Sequence, residues 1–117
     1  MNYSELDVWL NSRELVTLVY QSTKSFPRDE LYGLTNQIRR SAVSVPSNIA
    51  EGCGRQTTKD TIHFLYISRG SLYELETQIY LSLDLEYIKK EDFNSLIEEI
   101  TVCKKLINGF INYYKNK

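Results

Sequence analysis

Between residues 93 and 114 the chain places Phe93, Ile100, Ile107 and Tyr114 at seven-residue intervals, with Leu96, Cys103 and Phe110 between them. A strand alternates its faces every second residue, so this spacing requires a helix with an apolar seam turned toward other helices. Three earlier segments carry the same rhythm. In residues 5–26, Val8, Leu15, Leu18, Val19 and Phe26 recur at helical spacing, with Trp9 and Val16 on the flank. The second stripe runs Leu31, Leu34, Ile38, Ala42, Val45, Ile49, Cys53, and the third Ile62, Leu65, Ser68, Leu72, Leu75, Ile79, Leu83. Pro46 lies inside the second stripe, which predicts a kink in place of a stop and a carbonyl, that of Ala42, freed from its helical donor.

The punctuation between stripes sets the helix limits. Phe26 precedes Pro27 and is pushed out of the helical region. Gly52 and Gly54 stand where a helix C-terminus commonly takes a left-handed residue. Thr57 or Thr58 then offers an N-cap, with Asp60 in the first turn of the third helix. Gly70, inside the third stripe, reads as a close-packing point. Residues 86–90 make the last turn. The helices expected are roughly 5–26, 30–53, 58–86 and 90–115, in one domain spanning residues 1–117. Connections this short favour antiparallel neighbours, so the fold class is all-α: an up-down-up-down four-helix bundle with a Pro-kinked second helix. Five glycines and two prolines are too few for the many turns of a sandwich or barrel. A chain of 117 residues buries enough surface to need no metal or disulfide staple, and no cofactor is called for.

Cys53 and Cys103 lie outside any Cys-x-x-Cys pair and come after no secretory signal, so they read as free thiols in the cytoplasm. No stretch approaches the roughly 18 apolar residues of a membrane span. Cys53 ends the second stripe and Cys103 lies within the fourth, which makes both small core residues in preference to nucleophiles.

Catalytic chemistry has few residues to draw on. His63 is the only histidine. It stands three positions after Asp60, on the same helical face, as in a carboxylate-x-x-His metal motif. A di-metal bundle needs further inward carboxylates and a second such motif, and the second motif is missing here. Gly52-Cys53-Gly54-Arg55 lacks the strand and the Gly-Lys-Ser/Thr of a phosphate loop.

Charge is more informative. Lys and Arg number 14 against 15 Asp and Glu, a formal net charge of −1, which excludes a globally basic nucleic-acid binder. Residues 31–50 nevertheless contain a single charged feature, the pair Arg39-Arg40. One arginine can pair with acids of the third helix such as Glu74 or Glu76 while the other faces a partner, or both can line an oligomer with positive charge. Arg55 and Lys59 flank the turn after the second helix and extend that candidate patch, and phosphate binding there would be salt-sensitive. The segment from Ser41 to Gly52, with Pro46, Ser47, Asn48 and Glu51, is built of small residues that suit close approach of another helix at an inter-subunit seam. Tyr66, Tyr73, Tyr80 and Tyr87 fall every seven residues along one side of the third helix, which is either a wide core edge or a subunit contact, and tyrosine is favoured at interfaces.

Two stretches carry a resemblance. They are Tyr32-Gly33-Leu34-Thr35-Asn36-Gln37-Ile38-Arg39-Arg40-Ser41-Ala42-Val43-Ser44-Val45-Pro46-Ser47-Asn48-Ile49-Ala50-Glu51-Gly52 and Phe64-Leu65-Tyr66-Ile67-Ser68-Arg69-Gly70-Ser71-Leu72-Tyr73-Glu74-Leu75-Glu76-Thr77-Gln78. With Val8-Trp9, Lys24-Ser25-Phe26-Pro27 and Leu106-Ile107-Asn108-Gly109-Phe110-Ile111 they make the chain, over nearly its whole length, resemble the 23S ribosomal RNA intervening-sequence protein family. The resemblance implies an antiparallel bundle assembled into a ring-shaped homopentamer. It also implies kinship with the accessory protein of diversity-generating retroelements, which engages nucleic acid and a reverse transcriptase. Carried over residue by residue, it points to Arg39, Arg40, Arg55 and Arg69. Two departures stand out: the chain is near neutral where the accessory protein is basic, and Lys89 replaces a serine-type cap before the last helix.

The function expected is a non-enzymatic homo-oligomeric scaffold, pentameric by resemblance. It would present a repeated arginine patch (Arg39, Arg40, Arg55, Lys59, Arg69) to RNA or to a nucleic-acid-handling protein. The alternatives are a protein-binding adaptor with no nucleic-acid contact and, less favoured, a metal-dependent enzyme using Asp60 and His63.

Overall fold

A computed structural model describes residues 2–117. Four α-helices form among them: α1 (Asp7–Thr23), α2 (Leu34–Cys53), α3 (Thr58–Asp84) and α4 (Lys90–Lys115), with short 3₁₀ turns at Tyr3–Glu5 and Arg28–Glu30. Each helix buries the stripe its spacing defines. Val8, Leu15 and Val19 come from α1, Ile38, Ala42, Val45 and Ile49 from α2, Leu65, Leu72, Leu75 and Ile79 from α3, and Phe93, Leu96, Ile100, Cys103 and Ile107 from α4. Together they form one core. α1 packs on α2 and α4, and α3 packs on α2 and α4, so the helices stand around that core with each touching two neighbours. The result is a four-helix bundle of 45 × 24 × 20 Å.

The helix ends have local causes. α1 stops at Thr23, short of residue 26, because the chain tightens toward Pro27: Lys24 N–H donates to the Gln21 carbonyl and Phe26 N–H to that of Thr23. Phe26 is still buried, from outside the helix. α2 starts at Leu34 and leaves Leu31 exposed, because Arg28–Glu30 takes 3₁₀ geometry and Gly33 breaks the helical path at φ −117°, ψ −116°. Glu30 reaches over this start, accepting from Leu34 N–H at 3.2 Å and from the Tyr87 hydroxyl at 2.9 Å.

Thr57 is the N-cap of α3, its Oγ1 accepting from Asp60 N–H at 3.1 Å. Lys89 precedes α4 without a side-chain capping bond, and Glu91 and Asp92 supply negative charge to the first turn. The left-handed glycine anticipated after α2 does not occur. Gly54 caps the helix at φ −85°, and the positive φ among the described residues belongs to Glu86, at 61°. Glu86 closes α3: its N–H donates to the Leu83 carbonyl, and Tyr87 N–H reaches back to that of Ser82.

Small residues of α2 serve α3 of the same chain. Ser41 Oγ donates to Glu74 at 2.8 Å, Ser44 and Ser71 share a hydrogen bond of 2.8 Å, and Ser68 Oγ donates to the Val45 carbonyl at 2.8 Å. Thr61 Oγ1 does the same to the Gly52 carbonyl at 2.8 Å. Partner numbers fall along α3 as they rise along α2, so these two helices run in opposite directions. Gly52 is the tightest point, since a Cβ there would lie 3.1 Å from both Phe64 Cβ and the Thr61 carbonyl oxygen. Gly70 is the reverse of the close-packing point expected, with no atom within 4 Å of a Cβ position.

Candidate functional site

α2 continues through Pro46. The side chains gathered there serve the backbone: Asn48 Nδ2 donates to the Ser44 carbonyl at 2.8 Å, and Ser68 covers that of Val45. These donors reach Ser44 and Val45, not the Ala42 carbonyl. Ser47 is exposed and Glu51 holds Arg55. This run is structural, and the site lies one to three turns N-terminal to it.

There the outer face of α2 meets α1. Tyr20 of α1, Leu31 and Tyr32 of the preceding turn, and Asn36, Arg40 and Val43 of α2 line a groove of about 570 Å³. Arg39 and Thr35 lie deeper, shared with an adjoining cavity of about 150 Å³ that Lys24 and Arg28 also line. Neither lining includes a carboxylate. Arg39 is fixed twice. Its Nε donates to Thr23 Oγ1 at 2.9 Å, and its guanidinium lies 4.6 Å from the centre of the Tyr20 ring. Such a cation on an aromatic face gains about 0.5–1 kcal/mol at an exposed site.

The acids proposed to pair with this arginine couple are otherwise engaged. Glu74 accepts from Ser41 and from Gln78, and Glu76 pairs with Lys104 at 2.8 Å. The ion pairs among the described residues are that one and Arg55–Glu51, so Arg39 and Arg40 retain uncompensated charge. The groove also holds an anomaly: Thr35 is only 3% exposed and its Oγ1 has no hydrogen-bond partner. A buried hydroxyl without a partner costs roughly 1–3 kcal/mol.

The other sequence candidates lie elsewhere. Arg55, fifteen residues beyond Arg40, sits about 22 Å further along the helix axis. It pairs with Glu51 at 2.9 Å and lies over Phe64 at 4.4 Å. Lys59 is exposed in the first turn of α3. Arg69 bridges α3 and α4 by donating to Asn108 at 3.0 Å and lies over Tyr66 at 4.7 Å. The structure thus brings Arg39 and Arg40 together and adds Lys24 and Arg28, which sequence reasoning missed. It also adds Tyr20, Tyr32 and Thr35. A signal existed: Tyr32, Asn36, Arg39, Arg40 and Val43 keep helical spacing on the face opposite the apolar stripe.

His63 is exposed and its ring stands edge-to-face with that of Phe64, while Asp60 contributes its backbone to the Thr57 cap. Among the described residues no group of three or more His, Cys, Asp or Glu side chains is placed to share a metal ion. The thiols are not activated. Burial raises Cys53 above its ordinary value. Cys103 is pushed up to about 12, by burial first and then by Glu99 and Glu14. Both cysteines are free of disulfides.

Tyr66, Tyr73 and Tyr80 form an exposed stripe on α3, beside Ile67 and Leu81. Tyr87 does not continue it. It lies past the end of α3, half-buried against Phe26 and bonded to Glu30. No helix among the described residues is long and apolar enough to cross a membrane.

A profile of the family described as 23S rRNA-intervening sequence protein matches residues 4–109. Among solved structures, the fold matches a crystal structure from Bacteroides thetaiotaomicron, described as a protein of unknown function from the S23 ribosomal protein family. The TM-score is 0.81 at 27% identity, covering 90% of this chain and 95% of that one. A search of curated proteins finds no match.

Proposed function

We propose that this chain, which belongs to the 23S rRNA-intervening sequence protein family, is a non-enzymatic homo-oligomeric scaffold that presents the Arg39–Arg40 groove to RNA. The observation carrying this reading is a surface groove lined by two arginines without acidic partners. Its preferred ligand is anionic, and in the cytoplasm, the compartment its free thiols suit, the abundant multivalent anion is nucleic acid. One such groove makes few phosphate contacts. Repetition around a pentameric ring, as the family resemblance implies, converts weak contacts into useful avidity.

Self-association has its own support on α3. A mid-helix glycine costs about 1 kcal/mol relative to alanine, and Gly70 has no neighbour within its own chain to explain that cost. It lies between exposed Tyr66 and Tyr73, where a second chain could come close to the backbone. Filter binding of structured RNA at low and moderate salt tests the RNA reading. Retention is expected at low salt and is lost in the Arg39→Ala/Arg40→Ala variant; no retention at about 50 mM salt refutes it. Light scattering tests assembly: an oligomer is expected, dissociating in Gly70→Leu, and a monomeric wild type refutes the ring.

A further inference from the structure

We infer that the Arg39–Arg40 groove is a site for one unpaired nucleotide, with the phosphate on the guanidinium groups of Arg39 and Arg40 and the base stacked on Tyr32. The inference rests on the anion-binding reading above and names what that reading leaves open, the form of nucleic acid taken. Three features beyond charge carry it.

The first is Tyr32. It is 92% exposed, directly at the groove edge, so both faces of its ring are open. A tyrosine normally buries its ring and keeps only the hydroxyl wet. Here the apolar faces have no partner in the chain. Bases in a duplex hide their faces in the stack, whereas an unpaired base offers one, and base–aromatic stacking is tolerant of which base it is.

The second is the state of Arg39. Thr23 and Tyr20 hold it from beneath, so its orientation is set before any ligand arrives, and its remaining donors have no carboxylate to satisfy. Arg40, exposed on the next position, adds charge without being committed elsewhere. Pre-organised guanidinium donors are suited to phosphate oxygens, which accept in pairs.

The third is Thr35, whose buried Oγ1 lacks a partner and lines both the groove and its adjoining cavity. That atom is closed to solvent, so a ligand group reaches it only with a shift of the groove floor, and the unmet hydrogen bond favours such a shift. The volume, about 570 Å³, lies in the range of small-ligand sites, roughly 300–1,000 Å³.

Nucleotide chemistry of this kind comes either from a free mononucleotide or from a single strand, and titration separates the two. The probes are uridine 5′-monophosphate, single-stranded oligouridylate and an RNA duplex of the same length, each against wild type, Tyr32→Ala, Tyr32→Phe and Arg39→Ala/Arg40→Ala. The single strand is expected to bind more tightly than the duplex. Tyr32→Ala should weaken it by roughly 5- to 150-fold, the usual worth of one stacked base. Tyr32→Phe should restore it, and the double arginine variant should abolish it. Tyr32 is so exposed that its replacement leaves the fold intact, which circular dichroism verifies.

Binding of single strand and duplex with equal, arginine-dependent affinity, unmoved by Tyr32→Ala, overturns the stacked-nucleotide site and leaves the RNA reading standing. Tyr32-dependent binding of the monophosphate without binding of either RNA supports the site and overturns the RNA reading. Failure of all three probes overturns both.

Discussion

Replacing Gly52 by alanine tests how α2 and α3 are joined, with Gly109→Ala as its internal standard. Both glycines lie inside helices, where alanine is favoured by about 1 kcal/mol. Gly109 has no atom within 4 Å of a Cβ position, so the full gain is expected there. At Gly52 the new methyl group would lie 3.1 Å from Phe64 Cβ and 3.1 Å from the Thr61 carbonyl oxygen, against a favourable carbon–carbon separation of about 3.5–4.0 Å. Neither obstacle is the mobile end of a side chain. Relief requires α3 to shift by several tenths of an ångström, which would stretch the 2.8 Å bond from Thr61 Oγ1 to the Gly52 carbonyl. Overpacking of this kind costs about 1–3 kcal/mol. Net, Gly52→Ala should lose about 0–2 kcal/mol where Gly109→Ala gains about 1. Urea unfolding monitored by far-ultraviolet circular dichroism, at one fixed protomer concentration, measures the difference. A Gly52→Ala protein stabilised as much as Gly109→Ala would refute the close contact and the reasoning built on it.

Glu86→Gly should stabilise the protein. A left-handed φ costs an L-residue about 1–2 kcal/mol and glycine's extra unfolded freedom about 0.5–1, leaving a gain of up to about 1.5 kcal/mol, measurable as a raised Tm; a lowered Tm counts against the positive φ at 61°. Burial first, then Glu14 and Glu98, raises the Glu99 carboxyl above its ordinary range. The folded chain therefore holds that proton more tightly than the unfolded chain, and the favourable contribution present at acid pH is lost as pH rises through the folded pKa. Glu99→Gln should accordingly stabilise at neutral pH, by less than about 1 kcal/mol for a partly exposed group, with the gain vanishing at acid pH; a pH-independent effect would contradict this. Thr35→Val removes a buried hydroxyl that lacks a partner, so the free protein should gain about 1 kcal/mol in urea unfolding, and a loss would mean that the hydroxyl is satisfied.

Core residues of all four helices are legible because bundle packing repeats every three to four residues, and that repeat survives in one dimension. Ile38, Ala42, Val45 and Ile49 are read off directly. Ends are harder. Leu31 continues the spacing into Leu34, yet the backbone at Gly33 and the reach of Glu30 decide where α2 starts, and neither shows in periodicity. Glycine misleads for a related reason: the sequence marks where Gly52 and Gly70 fall but not which of them faces a neighbour. Arg39 and Arg40 stand out as the only charges in residues 31–50. Lys24, Arg28 and Tyr20 join them only through the α1–α2 contact, a relation between segments that no local pattern encodes.

The salt dependence of RNA binding tests the central claim most directly. Each phosphate contact with a single strand contributes about −0.7 to the slope of log Kobs against log salt concentration. If Arg39 and Arg40 make those contacts, Arg39→Ala/Arg40→Ala should weaken binding and make the slope shallower by about 1.4 per groove engaged. A double variant that binds with wild-type affinity and an unchanged slope would show that the RNA does not lie on this groove.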